Sequence, residues 1–136
     1  MNIVLDTNMI LSALFFGGMM ERVIDLIMED KLIWYISQPL LEEVTRKLYE
    51  LEANTTIITK VTIIFEKGLM INPDVEVNIC RDPEDNFILE LAEAAKADYI
   101  ITRDKDLLEL PNHQWQNTKI VKPETFLPLL RNKGII

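Results

Sequence analysis

Ile3-Val4-Leu5-Asp6-Thr7-Asn8-Met9-Ile10-Leu11-Ser12-Ala13 and Tyr99-Ile100-Ile101-Thr102-Arg103-Asp104-Lys105-Asp106-Leu107 share one pattern. Each opens with a short run that is apolar at every position, crosses a polar step containing an aspartate, and resumes with helical spacing. A run without polar alternation fits a strand buried on both faces, which is the habit of parallel sheets enclosed between helices. In such a sheet the carboxyl ends of the strands share one edge, where ligands bind, so Asp6 and Asp104 are expected to project from the same edge.

Outward from these two runs the chain continues to alternate. Gly17-Gly18 breaks the first helix, and Met20, Val23, Ile24, Ile27 and Met28 resume a 3.6-residue period. Leu32 to Ile36 reads as a second strand. Ser37 caps a helix carrying Leu40, Leu41, Val44, Leu48 and Leu51, and a further helix from about Thr55 to Lys67 ends at Gly68. Leu69-Met70-Ile71 reads as a third strand, and Asp82-Pro83 opens a helix with Phe87, Ile88, Leu91 and Ala95. Asp104 to Leu110 reads as a short helix, Lys119 to Val121 as the last strand and Glu124 to Leu130 as the closing helix. Strand–helix alternation of this kind gives an α/β protein with a central parallel sheet of about five strands and right-handed crossovers. Residues 1–136 show no linker, repeat or low-complexity tract and are read as a single domain.

Composition narrows the chemistry. The hydrophobic share is 49% and the charged share 26%, as in ordinary folded proteins. The longest apolar stretch, Met9 to Phe16, is interrupted by Ser12 and too short to span a bilayer, so a soluble, cytoplasmic protein without a membrane partner is expected. Cys80 and His113 are the single cysteine and histidine, which excludes a Cys/His zinc set and an intrachain disulfide. The net charge of −8 disfavours passive binding to polyanions, and the excess is local: residues 74–109 carry eleven acids and four bases, whereas residues 110–136 carry one acid and four bases. Clustered carboxylates repel one another unless a cation sits among them, and divalent metal ions commonly fill that role.

Each acid has a plainer reading. Asp6 reads equally as N-cap of the helix near Asn8 and as ligand, with the polar run Asp6-Thr7-Asn8 favouring a site. Asp82 before Pro83 reads as an N-cap, which leaves Asp85 as the preferred ligand of that helix start. Glu42 with Arg46 and Glu43 with Lys47 are i,i+4 pairs of the usual surface kind. Helix phase separates them: Glu43 lies roughly 110° and Glu42 roughly 150° from the centre of the apolar stripe, so Glu43 borders the core. Of Asp104 and Asp106 one suffices as a cap, and the second is expected to make a lesser or water-mediated metal contact. Oxygen-only ligands suit Mg²⁺ or Mn²⁺, and ions so held position water against a phosphodiester. A metal-dependent nuclease is the leading class on residue chemistry.

At this point the chain resembles PIN-domain ribonucleases, in particular the VapC-like toxin components of bacterial and archaeal toxin–antitoxin pairs. The resemblance rests on Ile3 to Ala13 with its Asp-Thr-Asn step, on Ser37-Gln38-Pro39-Leu40-Leu41-Glu42-Glu43-Val44, on Asp82-Pro83-Glu84-Asp85-Asn86, and on Ala97-Asp98-Tyr99 through Leu108. It implies a three-layer α/β/α sandwich, Mg²⁺ or Mn²⁺, and endonucleolytic cleavage of RNA. It also implies frequent homodimers and an antitoxin that occludes the site. Its metal-binding acids would be Asp6, Glu43, Asp85 and Asp104, with Asn8, Thr102 and Asp106 in support. Arg103, where relatives often carry Gly, and the doubled Glu42-Glu43 depart from the pattern.

Other readings compete. A haloacid-dehalogenase-like phosphotransferase would want an acid where Asn8 stands, a receiver domain would want adjacent acids near the first strand, and no glycine-rich turn supports a P-loop or dinucleotide fold. The non-enzyme alternative is a catalytically silent PIN-like scaffold binding RNA or protein. Met19, Met20, Val23, Ile27, Met28 and Trp34 exceed what one helix and strand need for a core, and so are read as a dimer face. A partner's basic segment is expected to enter the acidic cleft.

Overall fold

The computed structural model describes residues 1–136. Its strands are β1 (Asn2–Leu5), β2 (Ile33–Ile36), β3 (Leu69–Met70), β4 (Tyr99–Ile101), β5 (Gln114–Trp115) and β6 (Thr118–Val121). The helices are α1 (Thr7–Phe16), α2 (Gly18–Met28), α3 (Gln38–Glu50), α4 (Thr55–Glu66), α5 (Pro83–Ala95), α6 (Lys105–Leu108) and α7 (Pro123–Asn132). The strands form one sheet in the order β3-β2-β1-β4-β6-β5. All neighbours are parallel except β5, which runs antiparallel to β6.

The apolar strands explain the layering. Ile3, Val4 and Leu5 of β1 and Ile100 and Ile101 of β4 are wholly shielded from solvent. Because successive side chains alternate between faces, burial of every one means that both faces are covered by helices. Trp34, Leu26, Leu89, Leu91 and Phe126 fill the layers on either side. Beyond β3 the Ile71 amide is bonded to the Ile36 carbonyl at 2.9 Å, and the chain then runs without helix or strand until α5.

Two expectations are corrected. The sheet has six strands rather than about five, because a Gln114–Trp115 strand folds back on β6 through Gln116 and Asn117, with Gln116 at φ +51°. A two-residue strand has no periodicity to read, and this turn lacks the Asn-Gly or Asp-Gly signal of tight hairpins. The proposed dimer face is largely core: Met20, Val23, Ile27 and Trp34 are each at most 2% exposed, while Met19 alone of that group is plainly exposed. The helix and strand together bury both the α1–α2 contact and the sheet face.

The order in which strands are added reverses at β1. From β1 the sheet grows through β2 and β3 on one side, and through β4 and β6 on the other. The crevice between the carboxyl ends of β1 and β4 lies at this switch point, the usual ligand position in such sheets.

Candidate metal centre

Register places the first two groups. Leu5 pairs with Ile101, so the next residues, Asp6 and Thr102, leave the sheet side by side. The Thr102 hydroxyl donates to Asp6 Oδ2 and accepts from the Asp104 amide at 2.9 Å, tying the acid after β1 to the acid after β4. Asp6 Oδ1 accepts from the Met9 amide at 2.9 Å and so caps α1, and Asp104 caps α6 by accepting from the Asp106 amide at 2.8 Å. The cap and the site are thus one arrangement, since a carboxylate that ends a helix here also faces the crevice.

The third segment is the start of α5. Asp82 is extended, as expected before Pro83, and caps the helix through the Glu84 amide at 2.9 Å. One turn in, Asp85 is 6% exposed and aims into the crevice. One ligand oxygen from each of Asp85, Asp104 and Asp106 lies within 4.8 Å of the others. A cleft of about 80 Å³ is lined by Asp6, Thr7, Asn8, Lys47, Asp82, Glu84, Asp85, Ile88 and Asp104.

Electrostatics match this crowding. Burial pushes the Asp85 carboxyl up to about 7, helped by the negative charges of Asp104, Asp82 and Asp6 and by a hydrogen bond shared with Asp104. Burial likewise raises Asp6 to about 6 against the hydrogen bonds from Thr102 and Met9. Asp85 Oδ2 is buried without any hydrogen-bond partner. A buried, unpartnered carboxylate oxygen among other carboxylates costs stability unless a cation meets it. The donor set is all oxygen, which fits a hard divalent ion rather than zinc.

The structure brings Asp6, Asp85 and Asp104 to one cleft, with Asn8 on its wall, Thr102 behind it and Asp106 beside it. Asp106 is shared with Arg81, at 2.8 Å. Glu43 stands apart from the cluster, with a side chain only 10% exposed. Its two oxygens take Arg46 Nη2 at 2.7 and 2.8 Å, and Lys47 Nζ lies 3.7 Å away. Burial alone would raise Glu43; the hydrogen bond from Arg46, another from Glu84 and the charges of Arg46 and Lys47 lower it instead. Glu42 is exposed and meets Gln38 at 3.3 Å, as the helix phase had it. Arg103 pairs with Glu124. Sequence reasoning did not assign Thr7, Lys47 or Glu84 to the cleft. Lys47 was legible only as the i+4 partner of Glu43, whereas Glu84 meets α3 through Arg46 at 3.2 Å, a contact with no local signal.

A larger groove, about 990 Å³, runs between α3 and α4 past Val44, Leu48, Val61 and Phe65, and shares no residue with the carboxylate cleft.

Comparison with known proteins agrees with this architecture. An uncharacterized protein of Methanocaldococcus jannaschii, MJ1680, is 37% identical over 115 residues, covering 79% of this chain and 74% of that protein. The crystal structure of VapBC2 from Rickettsia felis, bound to a DNA fragment from their promoter, matches with a TM-score of 0.66 over 90% of this chain and 98% of that one. At 16% identity this likeness speaks to the fold. The sequence model of the PIN domain matches residues 2–106, from β1 through the last aspartate of the cluster, and the chain therefore belongs to the PIN-domain family.

Proposed function

We propose that this protein is a divalent-metal-dependent endoribonuclease that cleaves single-stranded RNA, and that it is the toxin of a toxin–antitoxin pair. The observation that carries the reading is Asp85 Oδ2, buried and unpartnered within reach of Asp104 and Asp106. Asp85 and Asp104 would hold Mg²⁺ or Mn²⁺, with Asp6 and Asp106 at its margin and Glu43 joining on release from Arg46. When bound, such an ion activates water and neutralises charge on a phosphodiester. The chain's own part is positioning. Thr102 fixes Asp6 relative to Asp104, the start of α5 aims Asp85, and Asn8 offers an amide to water or substrate.

The test is cleavage of single-stranded RNA in Mn²⁺ by the wild type, by Asp6→Asn and by Asp104→Asn, with chelation as control. Loss of cleavage in both variants and on chelation supports the mechanism. Cleavage that survives chelation refutes it. Capture of Glu43 by Arg46 and of Asp106 by Arg81 favours the second reading, a silent PIN-like scaffold that binds RNA or protein, and a wild type that binds RNA without cleaving it would support that reading. The VapBC2 complex is the basis for proposing an antitoxin here, one whose basic segment enters the cleft and stops cleavage. Co-purification with the product of a small open reading frame immediately upstream tests that part. Homodimerisation and cytoplasmic residence belong to the same proposal, and light scattering over a wide concentration range tests the former. No helix is long and apolar enough to cross a membrane.

A further inference from the structure

A cleft built of carboxylates presents a difficulty to a polyanionic substrate, and one side chain in its wall answers it. Lys47 is the only base lining the cleft with Asp6, Asp82, Glu84, Asp85 and Asp104. The neighbouring bases are spent: Arg46 is divided among Glu43, Glu50 and Glu84, Arg81 is held by Asp106 and Arg103 by Glu124. Lys105, next to Asp104, is exposed and outside the lining. Lys47 approaches Glu43 at 3.7 Å, an ion-pair distance too long for a hydrogen bond. All three N–H groups of its ammonium therefore remain to be donated, and its side chain is 30% exposed at the cleft. Its charge also favours the ionised carboxylates of Asp6, Glu43 and Glu84.

We infer that Lys47 is a substrate-binding residue, its ammonium contacting a non-bridging oxygen of the RNA phosphodiester beside the carboxylate cluster. The assignment rests on the nuclease reading above. An ammonium on a flexible stem serves phosphate as a point charge, and α3 delivers it to the cleft wall with no hydrogen bond to the acids that line it. A purely structural role, as counter-charge to Glu43, would leave RNA affinity untouched.

The experiment uses the full chain, a fluorescein-labelled single-stranded oligouridine and Ca²⁺ in place of Mn²⁺, read by anisotropy across a salt series. Lys47→Met keeps the apolar stem and removes the charge. Affinity at low salt is expected to fall about tenfold, and the slope of log K against log salt to shrink by about 0.7, the value of one single-strand phosphate contact. Lys47→Arg restores both. Calorimetric Mn²⁺ affinity of Lys47→Met is expected to match or exceed wild type, because a nearby cation opposes metal binding. An unchanged salt slope, or an RNA loss fully explained by lost metal affinity, overturns the assignment. If wild type cleaves and the slope does not move, this inference falls and the nuclease reading stands. If wild type binds without cleaving and the slope moves, the phosphate contact stands and the nuclease reading falls. A wild type that neither binds nor cleaves overturns both.

Discussion

Asp85 concentrates the energetic conflict of the molecule in one carboxyl. Its proton affinity in the folded chain corresponds to about 7, and that of Asp6 to about 6, against values near 3.9 for exposed aspartates. Between roughly pH 4 and 7 the folded state therefore binds more protons than the unfolded one, so stability is fully present below the unfolded value and is lost as pH rises through the folded values. The metal-free protein is expected to lose several kcal/mol across that window, measured by urea denaturation at successive pH values in chelator. Asp85→Asn is expected to raise the neutral-pH midpoint in chelator and to abolish the Mn²⁺ stabilisation expected of wild type, about 2.7 kcal/mol at a hundredfold excess over Kd. A midpoint that falls would mean that Asp85 is satisfied in some other way. Thr102→Val removes the hydroxyl shared by Asp6 and the Asp104 amide, and is expected to cost about 1–3 kcal/mol because the buried Asp6 carboxylate loses its donor and the half-buried amide its acceptor. Asp6, Asp85 and Asp104 were legible because strand ends and a helix start are read locally. The capture of Glu43 was not, because Arg46 answers to Glu50 on its own helix and to Glu84 on another.

Elements were legible in proportion to their periodicity and caps. The predicted caps Ser37 and Asp82 are found in place, through Leu40 at 3.4 Å and Glu84 at 2.9 Å, and the strands β1 and β4 lie where the unbroken apolar runs put them. Between β3 and α5 the sequence offers a breaker, Asn72-Pro73, and a period-two alternation, Val75-Glu76-Val77-Asn78-Ile79, yet no strand forms, and there the structure is held by side chains. Asn86, 7% exposed, accepts from the Cys80 amide at 2.9 Å and donates to the Cys80 carbonyl at 3.3 Å, while Glu90 takes the Val77 amide at 3.0 Å. This stretch runs directly into Asp82 and Asp85, so its anchoring sets where α5 begins. Asn86→Leu leaves both Cys80 backbone groups without partners and is expected to cost about 1–3 kcal/mol. Limited proteolysis should then cut within residues 72–81 before any other site. A variant as resistant as wild type would show that Val77, packed in the core, holds the stretch unaided. The β5 hairpin illustrates the opposite limit: its pairing depends on β6 being already in the sheet, and nothing in Gln114–Trp115 alone announces it.

At the scale of the whole molecule, a net charge of −8 and an isoelectric point near 4.6 set the terms on which RNA can approach. Long-range repulsion lowers encounter rates between like-charged partners, and the effect is strongest at low ionic strength. Four bases in residues 110–136, Lys119, Lys122, Arg131 and Lys133, oppose one acid there, yet they are spread over β6, α7 and the residues flanking it. Attraction is thus concentrated at the cleft, where Lys47 contributes one charge and divalent ions would add two each. In chelator, RNA affinity is expected to be weak and nearly flat with salt, since condensed counterions are released only where phosphates meet bound cations or bases. Millimolar Mg²⁺ should strengthen binding by at least an order of magnitude, and the normal decline with monovalent salt should then reappear. Anisotropy titrations with and without chelator check this directly. Tight binding in chelator with a steep negative salt slope would place the RNA on the tail bases instead, and a Lys119→Ala, Lys122→Ala double variant would then collapse that slope while sparing the Mg²⁺-dependent component.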